Sequence, residues 1–240
     1  MFCIRIADTV IGIQNQYQHV EQLCRAYWCD MDTPPLFTVC VSDEEVAQEQ
    51  ALATEAVSPG YAESVCIYRK ICKQLPLLRQ AFLFHSAVIE YEGRGYAFAA
   101  SSGTGKSTHA LLWHKHFGND VHMVNGDKPI CMFREDGALM AYGTPWCGKE
   151  GWSENKAVPL CGICFLERSE NNSICRISPQ EAVMYMLPQI LLPKKMASLD
   201  ALFALIEKTV EAVPCYRLKC NKNEEAAQIA YDGMNGGEGI

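Results

Sequence analysis

Long apolar runs are missing from this 240-residue sequence. None approaches the roughly 20 residues that a helix needs to span a bilayer. The first residues carry a charge at Arg5 before any apolar stretch develops, so they do not resemble a secretory signal peptide. Basic residues are not in excess either, since 21 Lys and Arg stand against 28 Asp and Glu, a net charge of −7. The sequence therefore predicts a cytoplasmic protein whose main partner is neither a membrane nor a nucleic acid.

Internal repeats and low-complexity segments are also lacking. Hydrophobic residues make up 49% of the chain, which is enough for a sizeable core and argues against extensive disorder. A chain of this length accommodates one large domain or a domain with a small appendage.

Cysteine, in contrast, is abundant, with 13 residues. The odd number and the lack of an export signal favour reduced thiols that act as small apolar side chains. Cys161 and Cys164 have the spacing of a redox or zinc motif. They lie, however, within the apolar run 159–166, which is typical of a buried strand, and no second Cys/His pair follows at zinc-finger spacing. We expect both to pack in the core.

A glycine-rich stretch, Ala100-Ser-Ser-Gly-Thr-Gly-Lys-Ser107, stands between a strand-like and a helix-like segment. This order of strand, tight loop and helix is the context in which a phosphate-binding loop is found. Gly103 and Gly105 let successive backbone N–H groups converge on an anion, and the helix adds its own unpaired N–H groups. Lys106 supplies a charge for the β- and γ-phosphates of a nucleotide, and Ser107 supplies a hydroxyl for Mg²⁺.

The first position of this motif is Ala100 where the motif has glycine. Alanine fits if its backbone stays in the β region, as at the end of a strand. The alternative is a Gly/Ser-rich loop that matches by chance, and the flanking strand and helix argue against it.

A second loop, 143–152, contains two tryptophans, three glycines and Lys149, and it could cover a ligand. The alternative is an ordinary loop that Trp146 holds in place. Together the two loops supply the residues predicted to bind the nucleotide, which are Ser102, Gly103, Thr104, Gly105, Lys106, Ser107, Thr108 and Lys149.

Two further polar residues stand out near the motif. Asp127 follows a predicted strand at 121–124, where a carboxylate can ligate Mg²⁺, although Asn-Gly-Asp is also good turn chemistry. His85 lies in the apolar run 81–89, where a single histidine is usually a hydrogen-bonded core residue. The residues alone leave both readings open.

The pattern of apolar residues predicts an α/β fold. The predicted strands are 2–6, 9–13, 36–41, 81–89, 95–99, 121–124, 130–133, 138–142, 159–167 and 214–220. Helices are predicted at 17–28, 42–56, 62–78, from Lys106 onward, 178–187, 200–213 and 224–234. We divide the chain into an N-terminal α/β subdomain, residues 1–80, and a nucleotide-binding domain, residues 81–240. The first carries no recognisable catalytic constellation.

Over about residues 83–220 the chain resembles the HPr kinase/phosphorylase and phosphoenolpyruvate carboxykinase superfamily. The family loop has the form Gly-x-Ser-Gly-x-Gly-Lys-Ser/Thr. Its kinases carry a histidine before the loop, at the position of His85, and paired aspartates before a basic residue. Here Gly126 replaces the first aspartate, while Asp127 and Lys128 remain. The loop positions that match are Ser102, Gly103, Gly105, Lys106 and Ser107.

Three more segments, 143–149, 165–167 and 213–220, look like a bacterial HPr-kinase-like subgroup. Some members of it accompany peptide-modification systems and phosphorylate peptides. The HPr-recognition segment of the true kinases has no match here, so the resemblance does not imply HPr as the substrate.

The resemblance implies a mixed-sheet P-loop core and an ATP-dependent kinase with a hydroxyl acceptor on a peptide, protein or small molecule. It implies His85, Asp127 and Lys106 as catalytic residues, ATP and Mg²⁺ as cofactors, and Ser107 and Asp127 as metal ligands. A non-catalytic ATP-binding sensor or scaffold is the alternative, because Gly126 replaces an aspartate. A carboxykinase is a third reading, although the chain is short for one. The sequence specifies neither the acceptor nor the assembly, for which a homo-oligomer is one option.

Overall fold

A computed structural model describes residues 1–30 and 32–236 and shows a mixed α/β protein with two sheets. The N-terminal sheet has the strand order β3-β1-β2-β4, with β1 antiparallel to β2 and β3, and β2 parallel to β4. Its strands are β1 (Phe2–Ile6), β2 (Thr9–Gln14), β3 (Trp28–Cys29) and β4 (Phe37–Cys40). Both predicted strands 2–6 and 9–13 are confirmed, and they form a hairpin.

Three helices accompany this sheet: α1 (Gln18–Leu23), α2 (Asp43–Leu52) and α3 (Pro59–Arg79). The predicted helix 17–28 is wrong in its second half, where a short 3₁₀ turn and strand β3 follow α1. Ser42 caps α2 and forms a capping box with Glu45. Ser58 caps α3 with its hydroxyl, and Pro59 occupies the first helical position, so this helix begins three residues before the predicted start at residue 62.

The second sheet has nine strands. Seven follow the order β5-β9-β10-β11-β7-β6-β8, and β13 pairs with both β11 and β12. They are β5 (Ala81–Leu83), β6 (Ser86–Tyr91), β7 (Arg94–Ala99), β8 (His122–Asn125), β9 (Ile130–Phe133), β10 (Leu139–Tyr142), β11 (Ala157–Arg168), β12 (Ser173–Arg176) and β13 (Cys215–Cys220). Strand β11 runs parallel to β7 and β13, so these three end at the same edge of the sheet.

Helices cover both faces of this sheet. The apolar residues of α4 (Lys106–Phe117) and α7 (Glu225–Asn235) share one buried cluster with the sheet, and those of α5 (Pro179–Met186) and α6 (Met196–Ala212) share another. A third cluster joins the N-terminal sheet and α3 to residues of β9 and β10 such as Met132 and Tyr142. The N-terminal region therefore packs directly against the second sheet.

The run 81–89 is two strands rather than the single strand predicted. Strand β5 pairs with β9, whereas β6 pairs with β7 and β8, and the chain breaks between them at His85. Strand β12 has no counterpart in the prediction. Cys164 is buried in β11 as expected, and Cys161 on the same strand is half-buried.

Two observations concern membrane-spanning helices and clusters of metal-ligating side chains. In the described part of the chain, no helix is both long and apolar enough to cross a membrane. Residues 1–30 and 32–236 also contain no group of three or more His, Cys, Asp and Glu side chains that could hold a metal ion. The last four residues of the predicted second domain, 237–240, lie outside the described residues.

Candidate functional site

The glycine-rich loop, residues 100–105, connects the end of β7 to the start of α4. Gly103 has a φ of 77° and Gly105 a φ of 130°, values at which a side chain would strain the backbone. Ala100 is not among the described non-glycine residues with positive φ, so alanine is compatible with this position. No side chain caps the first N–H groups of α4 within the described residues. These N–H groups can therefore bind an anion.

Lys106 is the first residue of α4, and its side chain turns inward. The residue is only 8% exposed, and its Nζ donates to the carbonyl of Ala100 at 3.1 Å. The same Nζ lies 3.1 Å from Nε2 of His85. Burial lowers the pKa of Lys106, and the nearby carboxylate of Asp127 opposes this effect. The side chain is thus held within a polar cluster beside the loop.

His85 lies at the break between β5 and β6, opposite the turn that follows β8. Backbone bonds from Phe84 to Pro129 (3.1 Å) and from Ser86 to Asp127 (3.2 Å) fix this arrangement. Nε2 of His85 is 3.0 Å from Oδ1 of Asp127. With a proton, Nε2 donates to Asp127; without one, it accepts from Lys106. Lys106, His85 and Asp127 form the polar cluster of the site.

Asp127 also forms an ion pair with Lys128, through its second carboxylate oxygen. Burial alone would raise the pKa of Asp127, but the hydrogen bond from His85 and the charge of Lys128 outweigh it and lower the pKa to about 2. Burial would lower the pKa of Lys128, yet its pairing with Asp127 raises it. Both groups are therefore charged at neutral pH. The Nζ of Lys128 also lies 5.5 Å from the ring centre of Tyr68 on α3.

Asn125, which was not among the predicted site residues, organises this turn. Its side-chain Oδ1 accepts from the backbone N–H groups of Asp127 (2.9 Å) and Lys128 (2.7 Å). Its Nδ2 donates to the carbonyl of Thr144 at 3.0 Å. The Asn-Gly-Asp pattern was a signal for this turn. The turn reading and the functional reading of Asp127 are compatible, because the turn presents the carboxylate to His85.

Loop 143–152 passes beside this turn. A Cβ on Gly148 would lie 3.2 Å from Cβ of Asp127, so the two backbones are close. Lys149 is exposed, and the described residues offer it no hydrogen bond or ion pair within contact distance. Trp146 is buried and donates from Nε1 to the carbonyl of Ser64 at 3.1 Å. The tryptophan does hold the loop, as the alternative reading had it.

The remaining predicted residues surround the loop. Ser102 and Gly103 are exposed, Thr104 and Gly105 are half-buried, and Thr104 donates from its backbone N–H to the carbonyl of Ser101 at 3.1 Å. Ser107, in the first turn of α4, is half-buried.

Thr108, also in this turn, is exposed and lines a cavity of about 350 Å³ on the opposite side of the loop from His85.

Arg168, at the end of β11, was also not among the predicted site residues. Its Nε donates to the carbonyl of Thr104 at 3.1 Å, and another guanidinium nitrogen donates to the carbonyl of Gly103. These bonds fasten the glycine-rich loop to the neighbouring strand. An arginine at a strand end has no local pattern that marks such a contact, because the partner lies some sixty residues away in the chain.

Three comparisons relate the chain to known proteins. The model of a family described as SynChlorMet cassette protein ScmC matches residues 62–225. Among curated proteins, none matches the chain significantly. The solved structure of the Hpr(Ser) kinase/phosphatase from Coxiella burnetii is similar over 64% of this chain and 93% of that chain, with 11% identity and a TM-score of 0.38. A likeness this low supports no argument, so the predicted HPr-kinase-like P-loop core stays a prediction.

Proposed function

We propose a function for this chain, which belongs to the family of the SynChlorMet cassette protein ScmC, from the geometry of its site. The function is that of an ATP-dependent kinase, which transfers the γ-phosphoryl group to a hydroxyl of a peptide, protein or small-molecule acceptor. One observation carries this proposal: Nε2 of His85 lies 3.1 Å from Nζ of Lys106 and 3.0 Å from Oδ1 of Asp127, beside the glycine-rich start of helix α4.

The loop supplies what the phosphates of ATP require. Positive φ at Gly103 and Gly105 lets the backbone curve, and the first N–H groups of α4 have no capping side chain among the described residues. A bound phosphate would accept from these groups and would compete with Ala100 and His85 for the ammonium group of Lys106. Lys106 would then neutralise the charge that moves to the leaving phosphate during transfer.

The oxygen donors at the site fit Mg²⁺, which prefers hard oxygen ligands. Ser107 offers a half-buried hydroxyl beside the loop, and Asp127 a carboxylate that is ionised at neutral pH because its pKa lies at about 2. These two residues and the phosphates would hold the ion. When bound, Mg²⁺ supplies charge neutralisation on the β- and γ-phosphates.

His85 accepts the proton of the acceptor hydroxyl in this proposal. Its side chain is 29% exposed, so an acceptor can reach it. When Lys106 turns to a phosphate, the unprotonated Nε2 can take the hydroxyl proton, and Asp127 at 3.0 Å stabilises the resulting imidazolium. The acceptor oxygen forms its bond to the γ-phosphorus as the bond to the β–γ bridging oxygen breaks, and ADP leaves. With a pKa of about 2, Asp127 is itself a weak base.

A non-catalytic nucleotide-binding module is the second candidate. Gly126 replaces an aspartate, and each carboxylate oxygen of Asp127 has a partner within the chain, His85 or Lys128. Lys128 would compete with Mg²⁺ for this carboxylate, which favours binding without transfer. Activity measurements separate the two functions.

The experiment incubates the purified chain with Mg²⁺, γ-labelled ATP and a degenerate library of peptides that contain Ser, Thr and Tyr, and it measures label on the peptides. Lys106→Ala should lower the transfer rate about 10²–10³-fold, the usual loss when one charge-stabilising group is removed. Lys115→Ala is the matched control, because Lys115 is exposed on the same helix; its rate should equal that of the wild type. Equal rates in both variants would contradict the proposal. Tight ATP binding without transfer to any peptide would favour the module.

A further inference from the structure

The order of strands places two different environments on either side of the glycine-rich loop. Along the sheet the order is β13-β11-β7-β6-β8, and the loop follows the central strand β7. His85 precedes β6 and Asp127 follows β8, so the polar cluster lies on one side of the loop. On the other side the carboxyl ends of β11 and β13 flank the loop. A ligand bound to the loop can therefore extend in two directions along this edge.

The side next to β11 and β13 contains the cavity of about 350 Å³. Its wall includes Gly105 of the loop, Thr108 and His109 of α4, Leu166 of β11, and Cys220 at the end of β13. The volume lies at the lower end of the range for small-molecule sites, about 300–1,000 Å³. A larger cavity of about 720 Å³ is lined by residues such as Asp8, Arg79 and Arg134, and none of its lining residues belongs to the loop or to the polar cluster.

The walls of the smaller cavity combine apolar and cationic groups. Leu166 is buried and Cys220 is half-buried, with a thiol whose pKa burial raises to about 11, so both present apolar surface. Arg168 and Lys222 add positive charge at the same cavity. Arg168 is held by the carbonyls of Gly103 and Thr104, so its position is tied to that of the phosphate-binding residues. Apolar walls suit the faces of a flat ring, and a guanidinium group stacks well on such a ring.

His109 adds an unpaired donor to this wall. The residue is 2% exposed, and its Nε2 accepts from Nε1 of Trp113 at 3.1 Å, so the proton of the neutral ring is on Nδ1. This Nδ1 is buried and has no hydrogen-bond partner among the described residues. A buried donor without a partner is costly. Because burial also lowers the pKa of His109 to about 3, the ring at this wall is neutral.

We infer that this cavity binds the nucleoside of the nucleoside triphosphate, with the base against Leu166 and Cys220 and the phosphates on residues 103–107. The inference rests on the proposed function. It places the ligand along the strand ends from β13 to β8, with its nucleoside at β11 and β13 and its terminal phosphate at His85 and Asp127. The cavity, rather than the polar cluster, then determines the preference for a nucleotide over an inorganic polyphosphate.

The test compares the affinities of Mg²⁺-ATP and Mg²⁺-tripolyphosphate, each measured by titration calorimetry. Tripolyphosphate carries the phosphate chain without a nucleoside. The wild type should bind ATP at least 10-fold more tightly than tripolyphosphate. Cys220→Phe, which fills the cavity, should remove this preference and leave tripolyphosphate affinity unchanged. The matched control is Cys40→Phe, because Cys40 is exposed on β4 of the N-terminal sheet, and this variant should keep the preference for ATP.

The outcomes distinguish the two proposals. If the wild type binds tripolyphosphate as tightly as ATP, or if Cys220→Phe keeps the full preference for ATP, the nucleoside site is wrong while the phosphate site stands. If the wild type binds neither ligand, the proposed function fails, and the nucleoside site fails with it.

Binding of tripolyphosphate also reports that Cys220→Phe is folded. For a variant that binds nothing, photolabelling of the wild type with 8-azido-ATP decides the question. Label within 166–169 or 220–222 supports the cavity, and label confined to other segments overturns it.

Discussion

His85 is the residue whose structural and chemical roles are easiest to separate. A histidine in an apolar run is usually a core residue, but here the chain breaks at His85 and its Nε2 meets Lys106 and Asp127. The backbone around it pairs with segment 127–129 and with Gln189, so its position does not depend on its own side chain. Removing the imidazole should therefore affect chemistry more than folding.

We predict that His85→Gln binds ATP normally and loses turnover by roughly 10²-fold or more, the usual contribution of a general base. The measurements are ATP affinity, melting temperature and transfer rate on one preparation. His122→Gln is the matched control, because His122 is exposed on β8. A destabilised His85→Gln protein with undiminished turnover would show that His85 is a core residue only.

Helix α4 carries one buried histidine, His109, and two exposed histidines, His114 and His116. Burial lowers the pKa of His109 from 6.5 to about 3, and its ring packs edge-on against Phe98 at a centroid distance of 4.6 Å. As the pH falls below 6.5, the unfolded chain takes up a proton at this histidine, whereas the folded chain stays neutral there until about pH 3. This group therefore stabilises the fold fully above pH 6.5, and its contribution is lost as the pH falls from 6.5 toward 3.

The free energy of unfolding should accordingly fall with pH more steeply in the wild type than in His109→Gln, by up to about 1.4 kcal/mol per pH unit between pH 6 and 4. Urea unfolding at several pH values measures this slope. His114→Gln on the exposed face of α4 should keep the wild-type slope. Equal slopes for wild type and His109→Gln would contradict the burial argument.

The N-terminal region contacts the loop 143–152, and this loop lies next to Asp127. Nε1 of Trp146 donates to the carbonyl of Ser64 on α3, and the indole packs on Tyr68 at a centroid distance of 5.8 Å. A further bond joins the hydroxyl groups of Tyr27 and Ser153 at 2.6 Å. These contacts connect residues of the first eighty to the loop 143–152 and to Ser153, which follows it. The N-terminal region thus supports the site without contributing a side chain to the polar cluster.

Trp146→Phe should lower the free energy of unfolding by about 0.5–1.5 kcal/mol, the usual net contribution of one hydrogen bond, because the indole N–H no longer donates to the carbonyl of Ser64. It should also lower the transfer rate, since the loop lies against Asp127. Trp152→Phe, a half-buried tryptophan of the same loop, is the control for the size of the substitution. Equal effects of the two changes would show that the bond to Ser64 is unimportant.

Local features of the site were predictable because they depend on local backbone preferences. Glycines at positive φ, the helix that starts at Lys106 and the turn at 125–128 follow from the residue types at those positions. The capping box at Ser42 and the hairpin of β1 and β2 follow in the same way. Such features need only a few neighbouring residues, so the sequence contains all of the information about them.

Contacts between distant strand ends were decided by the tertiary structure. The break of run 81–89 at His85 arises because β5 pairs with β9 while β6 pairs with β7 and β8. Arg168 reaches the loop, and Asn125 reaches Thr144, only because the order of strands places them together. That order results from packing the apolar faces of many segments into common clusters. The residue types along the chain therefore specify a glycine-rich loop at the start of a helix, and the packing of the sheets decides which polar side chains surround that loop.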